Sequence, residues 1–72
     1  MSKADKMFKE LGYIVEEGRI NVFIGRGKKD EDFSNDFIIH KKSKSITIYK
    51  MLISIQELQA INEKVKELGW NE

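Results

Sequence analysis

The chain has 72 residues, with 13 basic and 12 acidic side chains and no cysteine. This length fits one small domain over residues 1–72, and the lack of cysteine excludes disulfides and the usual zinc patterns. Charged residues are 35% and apolar residues 40% of the chain, a balance that is typical of globular rather than disordered proteins.

No apolar run approaches the roughly 20 residues of a membrane-spanning helix. The first residues, Met1-Ser2-Lys3-Ala4-Asp5-Lys6, lack the apolar core of a signal peptide. We therefore expect a cytoplasmic protein without a membrane partner. A domain of this size buries only about 60% of the surface that its unfolded chain exposes. A partner subunit, for example in a homodimer, is the expected supplement if one is needed.

The first predicted element is a helix from about Lys3 to Leu11. Ser2 can cap its start, with Asp5 at the capping-box position three residues later. Apolar residues then recur at helical spacing and predict one buried face. They are Ala4, Met7, Phe8 and Leu11.

Two closely similar pentapeptides each predict the end of a helix. They are Lys9-Glu10-Leu11-Gly12-Tyr13 and Lys66-Glu67-Leu68-Gly69-Trp70. The glycine supplies the left-handed residue just past the helix, and the following aromatic packs back onto the last turn. In this register Tyr13 meets Phe8, and Trp70 meets Val65.

Between the predicted helices, apolar residues recur with the period of two that is typical of strands. Three strands are predicted, around 20–25, 37–40 and 46–49, and a short fourth strand over 13–16 is left open. The polar stretch 41–44 predicts a tight hairpin turn, and 25–32 predicts a longer charged loop.

The last predicted element is a helix that begins at Ser54-Ile55-Gln56-Glu57, a full capping box. Its glutamates 63 and 67 are expected on the outer side. The expected buried stripe is Ile55, Leu58, Ile61, Val65 and Leu68.

These elements predict an α+β fold in the order α-β-β-β-β-α or α-β-β-β-α. The sheet is expected to be an antiparallel meander of three to four strands, flanked by the N- and C-terminal helices. Packing both helices on one sheet face would bury both apolar stripes and leave the other face in water.

Basic and acidic residues occur in separate blocks along the sequence. One hypothesis is that the basic blocks lie on one surface of the sheet and bind nucleic acid. Exposed aromatics such as Tyr49 and Phe23 would then stack bases. The alternative is that these lysines only keep sheet edges soluble. The candidate contacts are Arg19, Arg26, Lys28, Lys29, Lys41, Lys42 and Lys44.

Other local patterns resemble binding or catalytic motifs but are better explained as ordinary loops and exposed residues. Gly25-Arg26-Gly27-Lys28-Lys29 resembles a phosphate loop in composition, but acidic residues follow it instead of a helix start. His40 is the only histidine and has no partner at a motif spacing, so an exposed strand-end residue is expected. We therefore predict no catalytic residue, metal or cofactor, and a protein that is not an enzyme.

Trp70 is the one candidate anchor for a protein partner, because buried tryptophan contributes strongly to interfaces. The helix stop favours a structural role instead, in which Trp70 folds back onto Val65 and Ile61.

The two ends of the chain carry a resemblance. The opening Lys3–Tyr13 and the close Ile53–Trp70, with a looser match over Lys44–Tyr49, resemble a family of small uncharacterised proteins of phages and prophages of Gram-positive bacteria. The resemblance implies an accessory gene product made in a bacterial host cell, and it carries over no catalytic or binding residue.

Two functions follow as hypotheses. The first is a non-enzymatic protein-interaction module of phage or prophage origin in a bacterial cytoplasm, with an unknown protein partner and a possible homodimer. The second is a small nucleic-acid-binding protein that uses the basic residues of the sheet and loops.

Overall fold

The computed structural model describes residues 2–27 and 34–70. Two helices flank four strands in the order α-β-β-β-β-α, which confirms the predicted α+β meander and the short fourth strand. All neighbouring strands are antiparallel, and their order in the sheet is β1-β2-β3-β4. The elements are α1 (Lys3–Glu10), β1 (Ile14–Glu17), β2 (Asn21–Arg26), β3 (Ser34–His40), β4 (Ser45–Ile48) and α2 (Ile55–Glu67).

The strand register places the apolar residues of the two central strands on one face. Val22 lies opposite Ile39 and Ile24 opposite Phe37, and all four side chains are fully buried. They share a face because strand residues two apart point to the same side of the sheet. Phe8 of α1 and Ala60 and Ile61 of α2 join the same cluster, so both helices pack on this face. The opposite face carries the row Glu16, Phe23, Ile38 and Thr47, which is half-buried.

Both predicted helix stops are confirmed. Gly12 and Gly69 have φ angles of +90° and +75°, and the residue after each donates its N–H back into the last turn. Tyr13 donates to the Phe8 carbonyl at 3.0 Å, and Trp70 donates to the Val65 carbonyl at 3.1 Å. The Tyr13 ring also packs edge-on against Phe8, with ring centroids 6.0 Å apart.

The predicted helix starts are confirmed as well. The Ser2 hydroxyl accepts from the Asp5 N–H at 3.1 Å. At the start of α2 the capping box is complete, because the Ser54 hydroxyl accepts from the Glu57 N–H at 3.1 Å and the Glu57 carboxylate accepts from the Ser54 N–H at 2.7 Å. No helix in the described ranges is long and apolar enough to cross a membrane.

The predicted stripe of α2 is wrong in its first turn. Ile55 is 67% exposed and Leu58 is 47% exposed. The buried positions near that end are instead Glu57 and Ala60, and Lys64 is buried one turn further on. The helix is rotated relative to the expectation because Glu57 and Lys64 reach polar partners on its inner side.

Glu67 is exposed, as expected, but its carboxylate has a partner on α1. Its carboxylate accepts a hydrogen bond from the Ala4 N–H at 2.9 Å, and Glu63 lies 3.9 Å from the Lys3 ammonium. The last turns of α2 therefore lie beside the start of α1, where free N–H groups and the positive end of the helix dipole favour a carboxylate.

Candidate protein-binding surface

Large apolar residues are exposed along the connection from β4 into α2. Met51 is fully exposed, and Leu52 is 83% exposed. We define the exposed apolar surface as Ile48, Tyr49, Met51, Leu52, Ile53, Ile55 and Leu58. All of them fall within positions 48–58, and such a concentration of exposed apolar side chains marks an interaction site more often than scattered single residues do.

The local structure explains why these residues are not buried. After β4 ends at Ile48, residues 49–53 follow no regular element whose period could turn alternate side chains inward. Ile55 and Leu58 then begin α2 three residues apart and so share a side of the helix. That side is turned away from the core because Glu57 and Ala60 occupy the inner side.

β4 adds backbone groups to this region, since β3 is its only strand neighbour in the described sheet. The Tyr49 N–H donates to the Asp36 carbonyl of β3 at 2.8 Å. Alternate residues of a strand direct their backbone groups to the same side, so the N–H and C=O groups of Thr47 also point towards β3. Ile46 and Ile48 consequently direct their N–H and C=O groups away from the sheet.

The charges within this stretch are paired internally. Lys50 and Glu57 are its only charged residues, and they form an ion pair. The Tyr13 hydroxyl donates to the same carboxylate and accepts from the Lys50 ammonium at 2.9 Å. The exposed apolar surface is therefore electrically neutral.

This pairing fixes the charge state of Glu57. Burial by itself would raise the pKa of this carboxyl, but hydrogen bonds from Lys50, from the Ser54 amide and from Tyr13 lower the pKa to about 2. Burial and the hydrogen bond to Glu57 raise the pKa of the Tyr13 hydroxyl. Glu57 is thus ionised and Tyr13 is neutral near neutral pH, as their hydrogen bond requires.

A second ionic cluster anchors the C-terminal end of α2. The Lys64 ammonium donates to Asp5 of α1 at 3.1 Å and to Glu17 of β1 at 2.8 Å. Burial would lower the pKa of Lys64, but these two carboxylates raise it. Glu17 also pairs with Lys41 in the β3–β4 turn. The buried side of α2 is therefore tied to α1 and to the sheet by charged contacts at both ends.

Four of the predicted nucleic-acid contacts lie at one end of the sheet. The Lys41 N–H donates to the Ile20 carbonyl at 2.9 Å, which brings the β1–β2 and β3–β4 turns together. Arg19, Lys42 and Lys44 in these turns are exposed. Lys41 is partly neutralised by Glu17 and also donates to the Gly18 carbonyl.

The remaining basic candidates do not join that group. Arg26 ends β2 at the opposite end of the sheet, where its guanidinium lies 4.6 Å from the Tyr13 ring centroid and 3.9 Å from Asp36. Lys28 and Lys29 lie outside the described residues, as do residues 30–32 of the predicted charged loop. A single basic surface that contains all seven candidates stays a prediction.

Trp70 is half-buried and packs against the core cluster. This is the fold-back that the helix stop favours, and it gives the ring a structural role. Its role as a partner anchor stays a prediction.

His40 differs from the exposed residue that was expected. It is half-buried, with Nδ1 at 3.2 Å from the Asn21 side-chain oxygen and Nε2 at 2.7 Å from the Thr47 hydroxyl. Because an amide oxygen only accepts, Nδ1 donates to Asn21, while Nε2 shares a hydrogen bond with the Thr47 hydroxyl. The imidazole therefore links β2, β3 and β4 across the outer face of the sheet.

A groove of about 330 Å³ lies between α1 and β1 and is lined by Asp5, Lys9, Tyr13, Ile14 and Val15. Its acidic group, Asp5, is already paired with Lys64. Among residues 2–27 and 34–70, no group of three or more His, Cys, Asp or Glu side chains could hold a metal ion.

Comparison with known proteins gives no match to a family model, to a curated protein or to a solved structure. The exposed apolar surface was missed by the sequence interpretation. The signal for it is the run Met51-Leu52-Ile53 between a strand and a capped helix, where neither element can bury three consecutive apolar side chains.

Proposed function

We propose that this protein is a non-enzymatic protein-interaction module that binds a protein through the exposed apolar surface and the β4 edge. The setting we propose is a bacterial cytoplasm, with phage or prophage origin, in line with the resemblance of the chain ends. The observation that carries the proposal is the full exposure of Met51 and the 83% exposure of Leu52 beside an edge strand.

The physical support is the cost of leaving this surface in water. Each Å² of apolar surface removed from water contributes about 25 cal/mol, so a partner that covers the surface gains substantial free energy. The neutral charge of the region favours a protein partner over a polyanion, because no unpaired cation lies among residues 48–58. Aromatic and methionine side chains such as Tyr49 and Met51 are also enriched at the centres of protein interfaces.

Site-specific cross-linking in bacterial cells tests the proposal. A photoreactive residue replaces Leu52 in one variant and Ile20 in a matched control. Ile20 is 61% exposed and precedes β2, at the end of the sheet away from the exposed apolar surface. We expect a covalent protein adduct from position 52 and none from position 20. An absence of adducts at both positions, or equal adducts at both, contradicts the proposal.

A second candidate function is nucleic-acid binding at the opposite end of the sheet. Its support is the proximity of the two turns that carry Arg19, Lys42 and Lys44. Affinity for DNA or RNA should then fall steeply with salt and fall again when Lys42 and Lys44 are both replaced by Glu. No detectable binding at low ionic strength eliminates this function.

A further inference from the structure

We propose that the protein partner is a second copy of this chain, joined through its β4 strand by antiparallel pairing beside the exposed apolar surface. The inference rests on the proposed function and specifies its partner. The resulting dimer would contain one continuous eight-stranded sheet, because each copy contributes its four strands across a two-fold axis at the β4 edge.

The two edges of the sheet differ in how well they are protected against pairing. β1, at one edge, reads Ile-Val-Glu-Glu, and its Glu17 is engaged with Lys41 and Lys64. β4, at the other edge, reads Ser-Ile-Thr-Ile. Natural edge strands avoid association through charges, proline or bulges, and β4 has no charge and no proline. β4 is therefore the edge that is competent to pair.

The direction of the backbone groups fixes the register of such a pair. Ile46 and Ile48 face outward, so Ile46 of one copy pairs with Ile48 of the second copy, and the reverse. This arrangement satisfies both outward N–H groups and both outward C=O groups of each copy. The two-fold axis then passes between the two Thr47 residues, a pair without mutual hydrogen bonds whose Cα atoms are about 4.5 Å apart.

Side chains are compatible with the same register. Ile46 and Ile48 lie on the helix-facing side of the sheet, opposite Ile39 and Phe37, so their juxtaposition extends the apolar layer into the second copy. Ile46 is packed against the core and Ile48 is 43% exposed. Pairing would cover the exposed part of Ile48.

The charges along the paired strands also fit a second copy. In the register about Thr47, Tyr49 of one copy lies beside Ser45 of the second copy, so the paired strands bring no like charges together. Lys50 and Glu57, which follow, are paired within each copy.

Sedimentation velocity on the purified protein tests the association. We expect the wild type to sediment as a dimer, Ile48→Glu to associate at least about tenfold more weakly, and Ile20→Glu to match the wild type. Ile48 is 43% and Ile20 61% exposed, so circular dichroism should show an unchanged fold in both variants. A wild type that stays monomeric at all concentrations overturns the inference, as does an Ile48→Glu variant that sediments like the wild type.

Engineered cysteines test the register, since the natural chain has none. Under mild oxidation, Thr47→Cys should form a covalent dimer, because Cα atoms about 4.4–6.8 Å apart permit a disulfide. Ser45→Cys is the matched control on the same face of the same strand. Its two copies would lie on the order of 14 Å apart and should not link. Equal linking of both variants, or linking of Ser45→Cys alone, overturns the register.

Failure of this inference is distinguishable from failure of the proposed function. The adduct from position 52 has twice the 8.4 kDa mass of the chain if the partner is a second copy. An adduct with a different protein, together with a monomeric wild type, overturns the second-copy inference and leaves the proposed function standing. A monomeric wild type without any adduct overturns both.

Discussion

The Tyr13 hydroxyl donates a hydrogen bond to the Glu57 carboxylate and so joins the end of α1 to the first turn of α2. Lys50, which follows β4, pairs with the same carboxylate. These contacts orient α2 with Glu57 inward, and Ile55 and Leu58 are exposed as a result. The buried polar cluster and the exposed apolar surface are therefore two consequences of one helix orientation.

Replacing Tyr13 by Phe should destabilise the fold without altering its architecture. The ring keeps its edge contact with Phe8, but Glu57 loses one of its donors. We expect the free energy of unfolding, measured with urea, to fall by about 1–2 kcal/mol. Tyr49→Phe is the control, because the Tyr49 side chain is 64% exposed. A loss of the same size in both variants would show that the Tyr13–Glu57 bond contributes nothing.

Glu57 should make stability sensitive to acid. Its pKa falls from 4.5 to about 2 in the folded chain, so folding favours the ionised form. The stabilisation is present above pH 4.5 and is lost as the pH falls towards 2, with a total on the order of 3 kcal/mol.

Unfolding measured across this pH range checks the assignment. Glu57→Gln should be less stable than the wild type near neutral pH and should show a shallower acid dependence. Glu17, whose pKa is also lowered by Lys41 and Lys64 against the effect of burial, leaves part of the slope in place. Glu10→Gln, at an exposed position of α1, should keep the wild-type profile. A Glu57→Gln profile parallel to the wild type would refute the role of Glu57.

Glu67 should stabilise α1 although it belongs to α2. Its carboxylate accepts from the Ala4 N–H at 2.9 Å, one of the N–H groups that a helix start leaves free. Glu67→Ala should lower the free energy of unfolding by about 1 kcal/mol, and amide exchange should rise in the first turn of α1. The matched control is Glu10→Ala. Unchanged exchange at Ala4 in Glu67→Ala would count against this contact.

The helix boundaries and the order of the strands could be predicted because their causes are local. Ser54 and Glu57 are three residues apart, and Gly69 ends α2 through its own backbone conformation. Such signals depend on neighbours within one turn. The period of two in the middle of the chain likewise follows from adjacent residues.

The orientation of α2 could not be predicted, because its causes are distant in sequence. Tyr13 and Glu57 are 44 residues apart, and Glu17 and Lys64 are 47 apart. An apolar pattern alone places Ile55 and Leu58 inside and Glu57 outside, whereas the paired charges reverse that preference. The candidate surface depends on this orientation, so Trp70 and the basic residues were singled out and residues 48–58 were not.

The central claim is that a second copy of this chain pairs with the β4 edge, and amide hydrogen exchange at Ile46 and Ile48 tests it most directly. These two N–H groups point away from β3, whereas Thr47 and Tyr49 point towards it and act as internal references. In the purified wild type at dimer-forming concentration, we predict protection of Ile46 and Ile48 comparable to that of Thr47. Ile48→Glu should lose the protection at Ile46 and keep it at Thr47 and Tyr49. Rapid exchange of Ile46 and Ile48 in the wild type, beside a protected Thr47, would contradict the account.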